Sequence, residues 1–201
     1  MIKSRSLSNL AQGLLAVAIL FSSLPSAETP ARIETRTAIF AAGCFWCVEA
    51  EFEKLEGILE ATSGFTGGSL TNPTYKGDHT GHYEAVEVVY DPTKIDYREL
   101  LKTYWRNVDP FDADGQFCDR GPSYRGAIFV LNERQRQLAN ESKSAVSRQF
   151  PNNKVLTPIL DATKFWPVEN YHQNYSKKNP IRYRFYRSRC GRDKRLNEIW
   201  K

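Results

Sequence analysis

The chain passes from strand to helix at residues 43 to 47, and that turn constrains its fold and chemistry more than any other feature. Thr37–Ala42 is a short apolar run of strand type that meets Gly43. Beyond Cys47 the pattern changes. Val48, Phe52 and Leu55 recur at helical spacing, with Glu49, Glu51, Glu53 and Lys54 between them. A cysteine at such a turn sits where free backbone N–H groups and the helix dipole favour an anion, so a thiolate is expected at Cys44. A second sulfur, Cys47, lies three residues on, with Phe45 and Trp46 between. A Cys-x-x-Cys at a strand-to-helix turn reads as reactive rather than as two small buried hydrophobes.

The remaining elements follow the same logic. Gly57 is expected to end the first helix, and Ile58–Phe65 reads as a strand before Thr66-Gly67-Gly68. A polar loop covers 69–82. Glu84–Tyr90 then alternates, with Val86, Val88 and Tyr90 on one face and Ala85, Glu87 and Val89 on the other. Asp96 followed by Glu99 marks a helix start, and a long loop runs from Val108 to Tyr124. Arg125–Leu131 reads as a strand, Asn132 caps a helix reaching Phe150, and Lys154–Asp161 reads as a further strand. After Lys164 the periodicity fades, and ordered coil is expected with a short helix over Arg192–Trp200. The order predicts an α+β two-layer sandwich with a mixed sheet and a long C-terminal coil.

Composition matters mainly at the N-terminus. Lys3 and Arg5 precede a largely apolar run from Leu14 to Leu24, then Pro25-Ser26-Ala27, with no acidic residue before Glu28. That layout predicts a secretory signal peptide over 1–27, or an uncleaved anchor, and a polar tether over 28–35. Loss of Lys3 and Arg5 lowers the formal charge from +5 to +3. The basic tail, in which Arg182 to Arg195 interleave with Tyr183, Phe185 and Tyr186, reads as a solvated face rather than a nucleic-acid surface. Export, to a periplasmic compartment, would place Cys44, Cys47, Cys118 and Cys190 in oxidising surroundings, where three pairings are open. Only Cys44 and Cys47 form a close pair, so a zinc site is not expected.

Several patches together resemble the peptide methionine sulfoxide reductase A family. They are Gly43-Cys44-Phe45-Trp46, Ser63-Gly64-Phe65-Thr66-Gly67-Gly68, Asn72-Pro73-Thr74-Tyr75, Gly81-His82-Tyr83-Glu84-Ala85-Val86 and Asp119-Arg120-Gly121 ahead of Tyr124-Arg125. Tyr171-His172-Gln173 and Cys190-Gly191 fit as well, so the likeness spans 36–201. The resemblance implies a ferredoxin-like fold and reduction of methionine S-sulfoxide, free or in proteins. A sulfoxide sulfur becomes electrophilic only when its oxygen is protonated or strongly hydrogen-bonded, so such a site needs a soft nucleophile and an acid.

On that resemblance Cys44 is the nucleophile, Glu84 the proton donor, and Tyr75 and Tyr124 the phenols that polarise the oxygen. An acid that keeps its proton at neutral pH needs an apolar surround, which Tyr83, Ala85 and Val86 are expected to supply. Phe45 and Trp46 would receive the substrate methyl, and Asp119 would hold the substrate backbone or order its loop. His82 and His172 are expected to be structural. Cys190 is the resolving thiol the resemblance favours. Cys47 is the rival, because a Cys-x-x-Cys across a helix start can close a disulfide as thioredoxins do. Many family members lack a sulfur at that position. Cys118 is expected near the site. The implied partners are oxidised proteins or free methionine sulfoxide and an external thioredoxin-like or dithiol reductant. No bound cofactor, metal or nucleic acid is expected, and no stable membrane contact unless the leader stays uncleaved. The enzyme is expected to be a monomer. The alternative is an exported thioredoxin-like disulfide oxidoreductase using Cys44 and Cys47.

Overall fold

The computed structural model describes residues 34–201, so the leader and most of the tether lie outside the described residues. The elements run β1 (Arg36–Ala42), α1 (Phe45–Phe52), β2 (Ile58–Thr66), β3 (Tyr83–Tyr90), α2 (Tyr97–Arg106), β4 (Gly115–Gln116) and β5 (Asp119–Arg120). A 3-10 turn at Pro122–Tyr124 leads to β6 (Gly126–Val130), α3 (Glu133–Gln149), β7 (Ile159–Asp161) and β8 (Trp166–Pro167). Three helices close the chain: α4 (Tyr175–Lys178), α5 (Pro180–Arg189) and α6 (Arg192–Ile199). Among the described residues no helix is long and apolar enough to cross a membrane.

Six strands form one sheet in the order β7-β6-β1-β3-β2-β8, and β4 and β5 pair separately as a small hairpin. Within the large sheet β1, β2, β3 and β6 form the antiparallel centre of a β-α-β-β-α-β unit, the ferredoxin-like arrangement. The edges make the sheet mixed, because β7 adds parallel to β6 while β8 adds antiparallel to β2. Period-two alternation sorts the side chains. Ala38, Phe40, Val86, Val88 and Ile128 face α1, α2 and α3 in the main core. Ile39, Ala41, Ala85, Ala127 and Phe129 face the other way, under Leu160, Ala162 and Phe165.

The helix starts are those the sequence signals. Asp96 accepts the Glu99 N–H at 3.0 Å and Asn132 accepts the Gln135 N–H at 2.9 Å. Helix α1 ends at Phe52 rather than at Gly57, which instead takes the left-handed turn (φ +94°) that starts β2.

Two expectations need correction. The strand read over Lys154–Asp161 is confined to Ile159–Asp161, since Pro158 has no N–H to donate and Leu156 N–H is spent on Pro110 O at 2.7 Å. The C-terminal segment, expected as coil up to Arg192, carries α4 and α5 as well as the anticipated α6. Helix α5 has no apolar stripe to betray it, burying only Tyr183. It is held by charge: Arg187 pairs with Glu51 at 2.8 Å and with Asp193 at 2.5 Å.

Helix α1 carries a fully buried Glu49, whose Oε1 accepts the Asn174 N–H at 3.0 Å and whose Oε2 has no hydrogen-bond partner among the described residues. Burial pushes this carboxyl up from 4.5 to about 7. A raised carboxyl stabilises the fold fully below its unfolded value and loses that contribution as pH rises through the folded one. The stability of Glu49→Gln relative to the natural protein should therefore rise by ~2–3 kcal/mol between pH 4.5 and pH 8 in paired urea titrations. A difference independent of pH would show that Glu49 titrates normally.

Candidate active site

The strand-to-helix turn is built around Gly43 and Cys44. Gly43 has φ +81°, and a Cβ there would meet Gln116 Cβ at 2.6 Å, so the tight turn requires glycine. Buried Gln116 is fixed by two bonds, accepting the Asp109 N–H and donating to Asp109 O. Cys44 then occupies the N-cap of α1. Its side chain is only 6% exposed, enclosed by Trp46, Tyr175, Tyr183 and Tyr186.

Glu84 lies on β3 opposite Phe65 of β2, on the helix-facing side of the sheet. The Phe45 N–H at the start of α1 donates to Glu84 Oε2 at 3.1 Å. Burial lifts the Glu84 carboxyl from 4.5 to about 8; the amide bond opposes that rise, and the nearby charges of Asp119 and Cys47 add to it. Glu84 is thus mostly protonated at neutral pH, as a proton donor must be. Tyr83 and Ala85 do not supply the apolar surround expected of them, because alternate residues of a strand point to the opposite face.

Tyr75 and Tyr124 both lie within the electrostatic reach of Glu84, Cys44 and Asp119, and burial pushes both phenols well above their ordinary value. The structure therefore gathers Cys44, Glu84, Tyr75, Tyr124 and Asp119 into one cluster. Asp119 accepts a hydrogen bond from the Tyr186 hydroxyl at 2.5 Å, and the same phenol also reaches the Cys44 sulfur. Nothing in the sequence pointed to Tyr186, which sits on a helix read as coil.

The four cysteines divide into two pairs. Cys118 and Cys190 form a disulfide across 72 residues, with Cα atoms 4.9 Å apart, while Cys44 and Cys47 are free. Cys190, favoured as the resolving thiol, is therefore already bonded, and Cys47 is the free thiol in hydrogen-bond contact with Cys44. Cys118, Asp119 and Cys190 bring three ligand-type atoms together, but two of them are the bonded sulfurs.

The thiolate expected at Cys44 is not what this resting site favours. Burial pushes the Cys44 thiol well up, and the hydrogen bond to Cys47 and the charge of Glu84 push the same way. The first N–H of α1, a donor suited to a thiolate, is given to Glu84 instead. Cys47 is drawn down to about 7 by its hydrogen bond from Cys44 and by the cations Arg192 and Arg187. Arg192 is itself buried and anchored, donating to Ala42 O at 3.1 Å and Asn107 O at 2.6 Å.

An aromatic wall completes the site. Phe45 is fully buried, its ring 6.0 Å from Phe65 and 6.0 Å from Tyr75, so it serves the core as well as the site. Trp46 stacks on Tyr175 at 3.7 Å and donates its indole N–H to His172 Nδ1 at 3.2 Å. His172 lies 4.1 Å from the Tyr75 ring and, through that bond, fixes the orientation of Trp46. His82 is structural too: it accepts the Gly68 N–H and contacts Leu70 O at 2.9 Å, which folds the loop ahead of β3.

Comparison with known proteins bears on this cluster. The family model described as peptide methionine sulfoxide reductase matches residues 36–201. A peptide methionine sulfoxide reductase MsrA 2 of Caulobacter vibrioides is 47% identical over 188 residues, covering 92% of this chain and 94% of that protein. Among solved structures, the reduced form of Mxr1 from Saccharomyces cerevisiae superposes with TM-score 0.68 at 28% identity, over 73% of this chain and 87% of that one. Methionine sulfoxide reductase A of Corynebacterium diphtheriae gives 0.65 at 31% identity, over 75% and 78%.

The two inner sulfurs should ionise far apart. With the Cys118–Cys190 bond intact, thiolate absorbance at 240 nm should show one step near pH 7 that Cys47→Ser abolishes, leaving a single thiol that ionises well above the ordinary cysteine value. Persistence of the step in Cys47→Ser would assign it to Cys44.

Proposed function

Because the chain belongs to the peptide methionine sulfoxide reductase family, we propose that Cys44 attacks methionine S-sulfoxide while Glu84 protonates its oxygen. The enzyme is a peptide-methionine (S)-S-oxide reductase, an oxidoreductase that repairs oxidised methionine. The observation that supports this division of labour is the protonated, buried carboxyl of Glu84 in the same closed cluster as Cys44.

As Glu84 gives its proton to the sulfoxide oxygen, with Tyr75 and Tyr124 donating to the same oxygen, the sulfur becomes electrophilic. The Cys44 sulfur attacks it, and the thiol proton passes to the Glu84 carboxylate, so the acid is restored. The new S–S bond and the substrate S–O bond then break as the hydroxyl passes to the Cys44 sulfur, leaving Cys44 as a sulfenic acid and methionine with its lone pair regained. Tyr186 holds Asp119 in the closed site and must swing aside for the substrate to reach Cys44. Asp119 is then free to accept from the substrate backbone, with Phe45 and Trp46 flanking the substrate methyl.

Cys47 resolves the sulfenic acid. Its lowered thiol supplies the thiolate that attacks Cys44, forming a disulfide and releasing water. An external thioredoxin-like dithiol restores the thiols, and no prosthetic group is needed. The layout of the leader supports an exported, periplasmic enzyme; its substrates are oxidised proteins or free methionine sulfoxide, on which it acts as a monomer. The disulfide-oxidoreductase alternative is not favoured, because thiol exchange needs no acid beside the nucleophile.

Pre-reduced protein mixed with each epimer of a methionine sulfoxide peptide tests the reading. Methionine should form from the S epimer only, Cys44→Ser should be inert, and Cys47→Ser should still release one equivalent. Glu84→Gln, which keeps an acceptor for the Phe45 N–H, should be slowed by ~10²–10⁴-fold. A Glu84→Gln rate near that of the natural enzyme would remove the carboxyl from the mechanism.

A further inference from the structure

We propose that Glu49 is a positioning residue for the substrate: from inside α1 it grips the start of α4, and through Tyr175 and His172 it fixes Trp46 as a wall of the methyl pocket. The role rests on the sulfoxide reading, in which Trp46 flanks the substrate methyl. No step of that chemistry uses Glu49, yet it is a fully buried carboxyl three residues along α1 from Trp46. A carboxyl in the core costs stability unless its oxygens are engaged. Oε1 of Glu49 accepts the Asn174 N–H at 3.0 Å, and the Tyr175 N–H also reaches the carboxyl. Oε2 has no hydrogen-bond partner among the described residues, so the group's contacts all point to one place, the start of α4.

That start cannot hold itself. Helix α4 is a single turn of four residues, too short to be stable alone. Asn174 opens it in the left-handed region (φ +55°, ψ +36°), and its own side chain makes no capping bond. Left-handed backbone suits Asn better than most residues, but it persists where the surroundings impose it. Glu49 imposes it from α1. Gln173 imposes it from β2, accepting the Ser63 N–H and donating to Ser63 O, both at 2.8 Å. The Lys177–Glu53 pair also joins α4 to α1, but Lys177 is 63% exposed and such pairs contribute little.

The gripped turn carries the back of the methyl pocket. Tyr175 lies flat on the Trp46 indole, with ring centroids 3.7 Å apart, and His172 accepts the indole N–H at 3.2 Å. Stacking sets the plane of the indole, and the hydrogen bond sets its rotation within that plane. Residues three apart on a helix share a face, so α1 supplies both the wall and the clamp that orients it. A wall displaced by a fraction of an ångström loses its contacts with the methyl in the ground state and the transition state alike. Such a loss raises the concentration at which the enzyme saturates and leaves its limiting rate in place.

Single turnovers of pre-reduced enzyme, with methionine formation followed against the concentration of methionine S-sulfoxide, test the clamp. Glu49→Gln keeps the reach of the acceptor without its charge and should saturate where the unmodified enzyme does. Glu49→Asp keeps the charge one methylene short of the Asn174 N–H, and its half-saturating concentration should rise by ~tenfold. Its limiting rate should stay within about threefold of the unmodified value. In a Tyr175→Leu background the same Asp substitution should add little, because both changes act on one wall. An unchanged half-saturating concentration in Glu49→Asp, a Glu49→Gln as impaired as Glu49→Asp, or full additivity in the double variant would overturn the clamp. Where a variant does not fold, hydrogen exchange in the unmodified enzyme decides: the Asn174 and Tyr175 amides should be protected, and exchange at unprotected rates would overturn the proposal. If the unmodified chain forms no methionine at all, the sulfoxide reading fails first and the clamp with it; methionine formed with Glu49→Asp unaffected overturns the clamp alone.

Discussion

The hydrogen bond from the Phe45 N–H to Glu84 Oε2 joins the two halves of the site. It fastens the start of α1 to β3, which brings the N-cap residue Cys44 beside an acid carried by the sheet. It also uses the helix's first free N–H on a carboxyl rather than on a sulfur. A helix start attracts negative charge whatever group supplies it. Here Glu84 holds that place, and burial outweighs the amide bond, so the group stays largely protonated. The site therefore rests as thiol and acid together. That pairing suits a sulfoxide, whose oxygen must gain a proton before its sulfur accepts a nucleophile.

The cysteines are sorted by burial and charge. Cys44 is enclosed by aromatic rings, and burial, the hydrogen bond to Cys47 and the charge of Glu84 keep it uncharged, against the hydrogen bond from Tyr186 that favours the thiolate. Cys47, one helical turn away, faces Arg192 and Arg187 and is drawn the other way. Attack on sulfoxide and attack on sulfenic acid ask different things of a sulfur, and the proposed mechanism assigns the first to Cys44 and the second to Cys47. The other two sulfurs form the Cys118–Cys190 bond, which reaches the surface at Cys118 on the β4–β5 hairpin.

Much of this was legible in the chain. The strand Arg36–Ala42, the turn at Gly43, the caps at Asp96 and Asn132 and the alternation of β3 are local signals, and the structure keeps them. The clustering of Cys44, Glu84, Tyr75, Tyr124 and Asp119 was carried by the family resemblance rather than by any local pattern. Helix α5 was not legible, since Arg187 holds it through Glu51 and Asp193, partners outside the helix, and no apolar stripe marks it. Tyr186 was lost with it. The Cys118–Cys190 pairing depends on the β4–β5 hairpin meeting the end of α5 across 72 residues, a distance no spacing rule spans. The state of Cys44 failed for another reason: the helix dipole was visible in the sequence, but its prior claim by Glu84 was not.

One measurement bears most directly on this chemistry. A carboxyl NMR titration of Glu84 in the enzyme with its inner thiols reduced, assigned by comparison with Glu84→Gln, should give a midpoint near pH 8. A midpoint in the ordinary carboxylate range, around 4.5, would mean that Glu84 has no proton to give at neutral pH, and the paired acid and thiol could not do the work assigned to them.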